Sequence, residues 1–181
     1  MILCSNMIRK TLVTDSGMHG IWDFSTFSDI NDYDSWEEQL VEDEDIIKHI
    51  KDGHFVPINI YSDGAFEFEL RVGTTEVREQ LSEREQTYLV VSSAPYRLIT
   101  NGRVCISGLE YVSNDLTNQV GKIDVVSGTY SVEIYLLAWD EEPGMKNENG
   151  EATEEALPDF VVILNPANKK GLYRTKLQTF E

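Results

Sequence analysis

The chain has 181 residues, 41% of them hydrophobic, which is enough for one domain with a real core and too much for a charge-driven disordered chain. Its 32 Asp and Glu face 15 Lys and Arg, a formal charge of −17. That balance argues against direct binding to nucleic acid or to an anionic membrane surface, both of which need clustered cations, and no run approaches the roughly 18 apolar residues of a membrane-spanning helix.

The opening residues 1–10 are apolar before they are basic, the reverse of an export signal. Cys4 and Cys105 are too far apart for metal spacing and fit two buried or semi-buried thiols in a reducing cytosol. Residues 10–13 read as a strand, Ser16-Gly17 as a turn, and residues 20–27, with Trp22, Phe24 and Phe27, as a second strand. Ser35-Trp36-Glu37-Glu38 has the form of a capping box with Ser35 as the cap. Trp36, Leu40, Ile47 and Ile50 follow at helical spacing, so a helix is predicted near residues 35–51, broken around 42–45 and stopped by Asp52-Gly53.

Strands follow. Residues 55–61 and 65–72 flank Ser62-Asp63-Gly64, a hairpin signal, and in the second arm Phe66, Phe68, Leu70 and Val72 alternate with Glu67, Glu69 and Arg71. Residues 74–86 are charged, with Ser82 placed to cap a helical turn, and residues 87–93 read as a strand. Asn101-Gly102 between residues 96–100 and 103–109 is the sharpest hairpin signal in the chain, because both positions of such a turn need positive φ. Residues 120–126 and 129–139 flank Ser127-Gly128 in the same way. Residues 141–155 form a polar, exposed loop, residues 160–164 a last buried strand, and residues 167–181 a basic tail with Leu172, Tyr173, Leu177 and Phe180 as docking residues. The expected fold is mainly β: a single domain over residues 1–181, built as an antiparallel β-sandwich with one N-terminal α-helix and a polar loop before the last strand.

Catalytic signatures are missing from the sequence. It has no phosphate loop, no G-x-G-x-x-G, no G-x-S-x-G and no H-E-x-x-H. His19, His49 and His54 lack ligand spacing and read as surface or locally bonded imidazoles. Asp29, Asp32 and Asp34 resemble the start of a calcium loop, but a loop begun at Asp29 would have Asp34 at the glycine place and Leu40 at the glutamate place. An irregular calcium site there stays open; otherwise no metal, cofactor or catalytic residue is assigned.

Charge is unevenly spread. Residues 11–70 hold fifteen acids against Lys48 and Lys51, and residues 137–168 hold eight against Lys146. Within the first stretch Asp32, Asp34, Glu37, Glu38, Glu42, Asp43, Glu44 and Asp45 follow closely, and Glu141 and Glu142 open a second patch. These ten residues are the candidate partner-binding site, an acidic surface for a basic protein; the plain alternative is a solvated helix face. Tyr33, Trp36, Tyr61, Tyr111 and Trp139 could anchor an interface but read first as core or core-edge residues.

Three pieces in order, Ser62-Asp63-Gly64-Ala65-Phe66, the Asn101-Gly102 turn, and Gly128-Thr129-Tyr130-Ser131-Val132 with Trp139, resemble small bacterial β-sandwich proteins of the competence nuclease-inhibitor and toxin-immunity type over residues 55–140. The resemblance implies a cytosolic antidote that binds one cognate toxin and carries no catalytic residues. The expected function is therefore a non-enzymatic acidic binding protein, an inhibitor or immunity protein neutralising a basic bacterial effector such as a nuclease. A ligand-binding or structural β-module remains the alternative, and behind it a hydrolase with unmarked carboxylates. Oligomeric state is left open.

Overall fold

In the computed structural model, which describes residues 6–181, the alternation in Gly64–Val72 decides how the strands lie. Phe68, Leu70 and Val72 enter the core, while Glu67, Glu69 and Arg71 are only half-buried on the other face. This strand, β4, pairs with β1 (Met7–Thr14) on one side and β10 (Phe160–Pro166) on the other. The first sheet continues from β10 to β9 (Gly128–Leu137), whose far side takes both β5 (Leu89–Ser92) and β6 (Tyr96–Thr100). The second sheet runs β3 (Phe55–Asn59), β2 (Met18–Asp23), β7 (Arg103–Gly108), β8 (Gly121–Asp124). The chain is mainly β with two sheets, and its pairs are antiparallel as expected except that β10 runs parallel to β4.

Residues from both sheets share one core, in which Trp22, Phe27, Phe55, Phe68, Tyr96 and Phe160 are fully buried. Phe68 and Phe160 stack with centroids 5.1 Å apart. Burial of each such side chain contributes roughly 1.5–3 kcal/mol. β10 is apolar from Phe160 to Leu164 because both its faces are covered there. Phe160, Val162 and Leu164 belong to the main core, whereas Val161 and Ile163 join a second cluster with Leu81, Leu137 and Leu157.

The predicted hairpins are not hairpins. The turns at Ser16-Gly17, Ser62-Asp63-Gly64, Asn101-Gly102 and Ser127-Gly128 each carry the chain from one sheet to the other. At Asn101-Gly102 the reason is visible. Gly102 has φ 121°, but Asn101 does not adopt positive φ, so the tight two-residue hairpin turn does not form. The buried Asp23 carboxylate instead accepts from the Thr100 hydroxyl (2.7 Å) and the Asn101 amide (2.9 Å), tying this corner to the end of β2. Successive strands that do pair, β2–β3, β7–β8 and β9–β10, are joined by long connections.

Two helices, not one, fill the β2–β3 connection: α1 (Tyr33–Leu40) and α2 (Asp43–Asp52). The break expected around 42–45 falls at Val41–Glu42. Asp32, rather than Ser35, is the cap of α1: its Oδ1 accepts from the Ser35 amide (2.9 Å) and the Ser35 hydroxyl (2.6 Å), so Ser35 is the third helical residue of the box. Leu40, Ile46 and Ile50 are buried, and Gly53 ends α2 in the left-handed conformation at φ 79°. A third, short helix, α3 (Glu83–Thr87), is capped by Ser82 with Glu85 reaching back, as the sequence predicts. Residues 20–27 divide into the end of β2 and a 3-10 turn, Phe24–Phe27.

The basic tail closes a seam. The Arg174 amide donates to the Pro95 carbonyl (2.8 Å), the Tyr96 hydroxyl donates to the Lys176 carbonyl (2.6 Å), and the Phe180 amide donates to the Asn59 carbonyl (2.9 Å). Phe180 is 2% exposed and meets Phe160 edge-on, and Leu177 is half-buried against the core. Leu172 does not dock; it is 98% exposed. Cys4 and the apolar start lie outside the described residues.

Candidate functional site

The segment 29–53 holds ten acids against Lys48 and Lys51. Asp34, Glu37, Glu38, Glu42, Asp43 and Glu44 are exposed, and Asp45 is half-buried. Asp43, Glu44 and Asp45 occupy the first turn of α2, where the helix dipole favours negative charge. The Asp32 carboxyl is held below its usual range by hydrogen bonds from the Ser35 side chain and amide. Among the described residues the segment makes one ion pair, Lys48–Asp52 at 3.3 Å. The helices thus carry an uncompensated acidic layer.

Glu141 and Glu142 do not join it. They follow β9 at the 3-10 turn Trp139–Glu141, and Glu142 accepts from Arg84 of α3 through both carboxylate oxygens (2.8 and 2.6 Å). Arg84 holds the Glu142 carboxyl below its usual range and also donates to the Glu155 carbonyl (2.8 Å). Glu142 is neutralised in place, while Glu141 is exposed.

The other candidates resolve as follows. Asp29 accepts from Gln39 (3.3 Å), Asp32 serves as the cap, and among the described residues no three His, Cys, Asp or Glu gather as a metal set. His19 is wholly buried rather than superficial. Its Nε2 bonds the Leu12 carbonyl (3.1 Å), its ring lies 4.7 Å from Phe68, and burial pushes its pKa down to about 4. His49 is half-buried against Phe27, 4.8 Å between centroids, and burial lowers its pKa too, with His54 adding to the effect. The Cys105 thiol is buried, and burial pushes its pKa up to about 12, which disfavours the nucleophilic thiolate. Burial drives the Asp23 carboxyl upward, but hydrogen bonds from Ser25, Asn101, Thr100 and Thr26 outweigh it and leave the pKa lowered. Every carboxyl with a displaced pKa (Asp23, Asp32, Glu142) is displaced downward, the wrong direction for a general acid.

The aromatic residues divide. Trp36, Tyr111 and Trp139 are half-buried at the core edge, as expected, but Tyr33 and Tyr61 are 66% and 74% exposed. Tyr33 stacks on Trp36, centroids 6.0 Å apart and planes 28° from parallel. The Trp36 Nε1–H donates to the Leu109 carbonyl (3.0 Å) and so ties α1 to the 3-10 turn Leu109–Tyr111. Between these two elements opens a cleft of about 460 Å³ lined by residues including Tyr33, Trp36, Asp32, Glu110, Val112 and Asp115. The sequence named the two aromatics but not the cleft, whose far wall lies in residues 110–115. A second cleft of about 610 Å³, lined by Val72, Val125, Val126, Tyr130 and Pro166 among others, opens beside the ends of β4, β8 and β10 and the start of β9. No helix of the described residues is long and apolar enough to cross a membrane.

No protein-family model and no curated protein matches the sequence. Among solved structures, the chain is similar to a protein described as crocagin biosynthetic gene J, at TM-score 0.60 and 15% identity over 90% of this chain and 97% of that one, a likeness of fold alone. It also matches ComJ, inhibitor of the DNA degrading activity of NucA, from Bacillus subtilis, at TM-score 0.48 and 8% identity over 88% of this chain and 96% of that one. That protein is of the kind the sequence resemblance names, but a superposition this loose carries neither fold nor function.

Proposed function

We propose that this protein is a non-enzymatic acidic inhibitor or immunity protein that neutralises a basic protein effector, such as a bacterial nuclease, in the cytosol. In this reading the two sheets form a sandwich that serves as scaffold, and α1 and α2 are the docking face. The observation that carries the reading is the missing counter-charge: ten acids over residues 29–53 are met by one ion pair among the described residues. A natural protein gains no stability from such repulsion, whereas a cationic partner would relieve it. Inhibition would be steric and electrostatic, the acidic layer occupying a groove that otherwise accepts phosphates. Charge would set the association rate and its salt dependence more than the final affinity.

The test is affinity purification at low and high salt with mass spectrometry of what co-elutes. One basic protein at near-stoichiometric level, weakened by salt, is the expected result; no specific partner at either salt overturns the reading. One observation favours a ligand-binding module instead, the 610 Å³ apolar cleft, whose size suits a small molecule. Native mass spectrometry of freshly purified protein decides for it if a bound small molecule is seen.

A further inference from the structure

Tyr33 is a large aromatic ring left mostly in solvent, at the first position of a helix where no packing demands it. Its ring is nevertheless fixed. It stacks on Trp36, and its hydroxyl donates to Glu37 (3.2 Å). Trp36 is fixed in turn by its bond to Leu109. The two rings therefore stand ordered at the mouth of the 460 Å³ cleft before anything binds, and a ligand that uses them loses little further freedom.

The lining shows what chemistry fits. Asp32, Glu110 and Asp115 are the charged residues of the cleft, and no Lys or Arg lines it. Two of the three carboxylates already have work: Asp32 caps α1, and Glu110 accepts from the Thr14 and Ser16 hydroxyls and the Asp15 amide. The Asp115 side chain makes no hydrogen bond or ion pair among the described residues; only its backbone is engaged, with Ser113 and Thr117. Aromatic faces attract cations, and a guanidinium can lie flat on a ring while its edge donates to a carboxylate; an ammonium has no flat face to offer.

We propose that this cleft receives an arginine side chain of the basic partner, its guanidinium stacked on the Tyr33–Trp36 pair and hydrogen-bonded to Asp115. The proposal rests on the reading of α1 and α2 as a docking face for a basic protein, and it divides that face into two parts. The acids of α2 supply long-range attraction, and the cleft supplies the anchor that fixes register.

The probe is a pair of capped nonapeptides, one of arginines and one of lysines, titrated at low salt into isotope-labelled protein while the indole N–H signals are followed. Trp22 and Trp139 serve as references for the fold. The expected result is a shift of the Trp36 indole with the arginine peptide and a smaller one with the lysine peptide. Tyr33→Leu, which keeps bulk over Trp36 but removes the π face, weakens arginine-peptide binding about fivefold. Neutralising Glu42, Asp43, Glu44 and Asp45 together weakens both peptides alike and leaves the Trp36 shift at saturation intact. If the arginine peptide binds Tyr33→Leu as tightly as the unaltered protein, or binds without moving Trp36, the anchor is wrong while the acidic docking face stands. If neither peptide binds the unaltered protein, both readings fall.

Discussion

On the first sheet and its neighbour α3, Glu67, Arg9, Glu69, Arg71 and Glu85 form a continuous run of alternating charge, with contacts of 2.8 Å for Arg9–Glu67, 3.7 Å for Arg9–Glu69 and 2.8 Å for Arg71–Glu69, and a further Arg71–Glu85 bond. On α1 and α2 the same residue types stand almost alone, with Lys48–Asp52 as the one pair among the described residues. The Arg71 end of the first arrangement is largely out of solvent, the Arg71 and Glu69 side chains each being 13% exposed. There each carboxylate is matched because an unmatched one would be costly. The helical acids are solvated and need no partner in order to fold, so their lack of one is free to serve something else. The lesson is that the number of acids does not mark a site; the number left without a cation does.

The contrast can be broken from the matched side first. Arg71→Ala leaves Glu69 and Glu85 facing each other with little solvent, and the expected loss is about 3–4 kcal/mol in urea unfolding. A loss below about 1 kcal/mol would mean that the run is no more structural than the helical acids. Acid pH tests interior charge against surface charge. Burial lowers the folded pKa of His19 to about 4 against 6.5 for the free side chain, so the unfolded chain takes up this proton first. Stability that is full above about pH 6.5 therefore falls as pH drops toward 4, by about 3 kcal/mol in total. Denaturant unfolding across that window measures it, and His19→Gln should flatten the curve. A histidine ring signal that titrates near 6.5 at this position would refute the assignment.

Smaller effects belong to the helices. Neutralising Glu42, Asp43, Glu44 and Asp45 together should change stability by no more than about 1 kcal/mol, since lost dipole contacts and relieved repulsion oppose each other. The same variant should slow capture of the basic partner at low salt, and unchanged stopped-flow association would remove α2 from the docking face. Lys48→Ala, which deletes the Lys48–Asp52 ion pair, should cost about 0.3 kcal/mol or less by thermal unfolding.

Much of the fold could be read locally. The alternation of β4, the apolar run of β10 and the cap at Ser82 are each contained in a few adjacent residues, and each appears as expected. Turn positions were equally legible, yet the strands they join were not paired. A Gly at positive φ reports a change of direction and says nothing of which sheet receives the next strand. That is settled by distant groups such as Asp23 acting on Thr100 and Asn101. The cap of α1 was ambiguous because Asp32 and Ser35 both suit the role and in fact form one box. The acidic segment was plain from charge alone. The pairing of Glu142 with Arg84, far apart in sequence, was not, and neither was the exposure of Tyr33, whose cleft has its other wall in residues 110–115.

β10 is the last strand in sequence and the middle strand of its sheet. During synthesis, β1 and β4 can meet early, and β9 can collect β5 and β6, but the two half-sheets have nothing between them until residue 166 has left the ribosome. Until then β4 and β9 each present an open row of backbone donors and acceptors, the kind of edge that recruits other chains. Ribosomes stalled before residue 160 should therefore release aggregating fragments rather than a smaller folded body, and chaperone demand should fall once the central strand is in place.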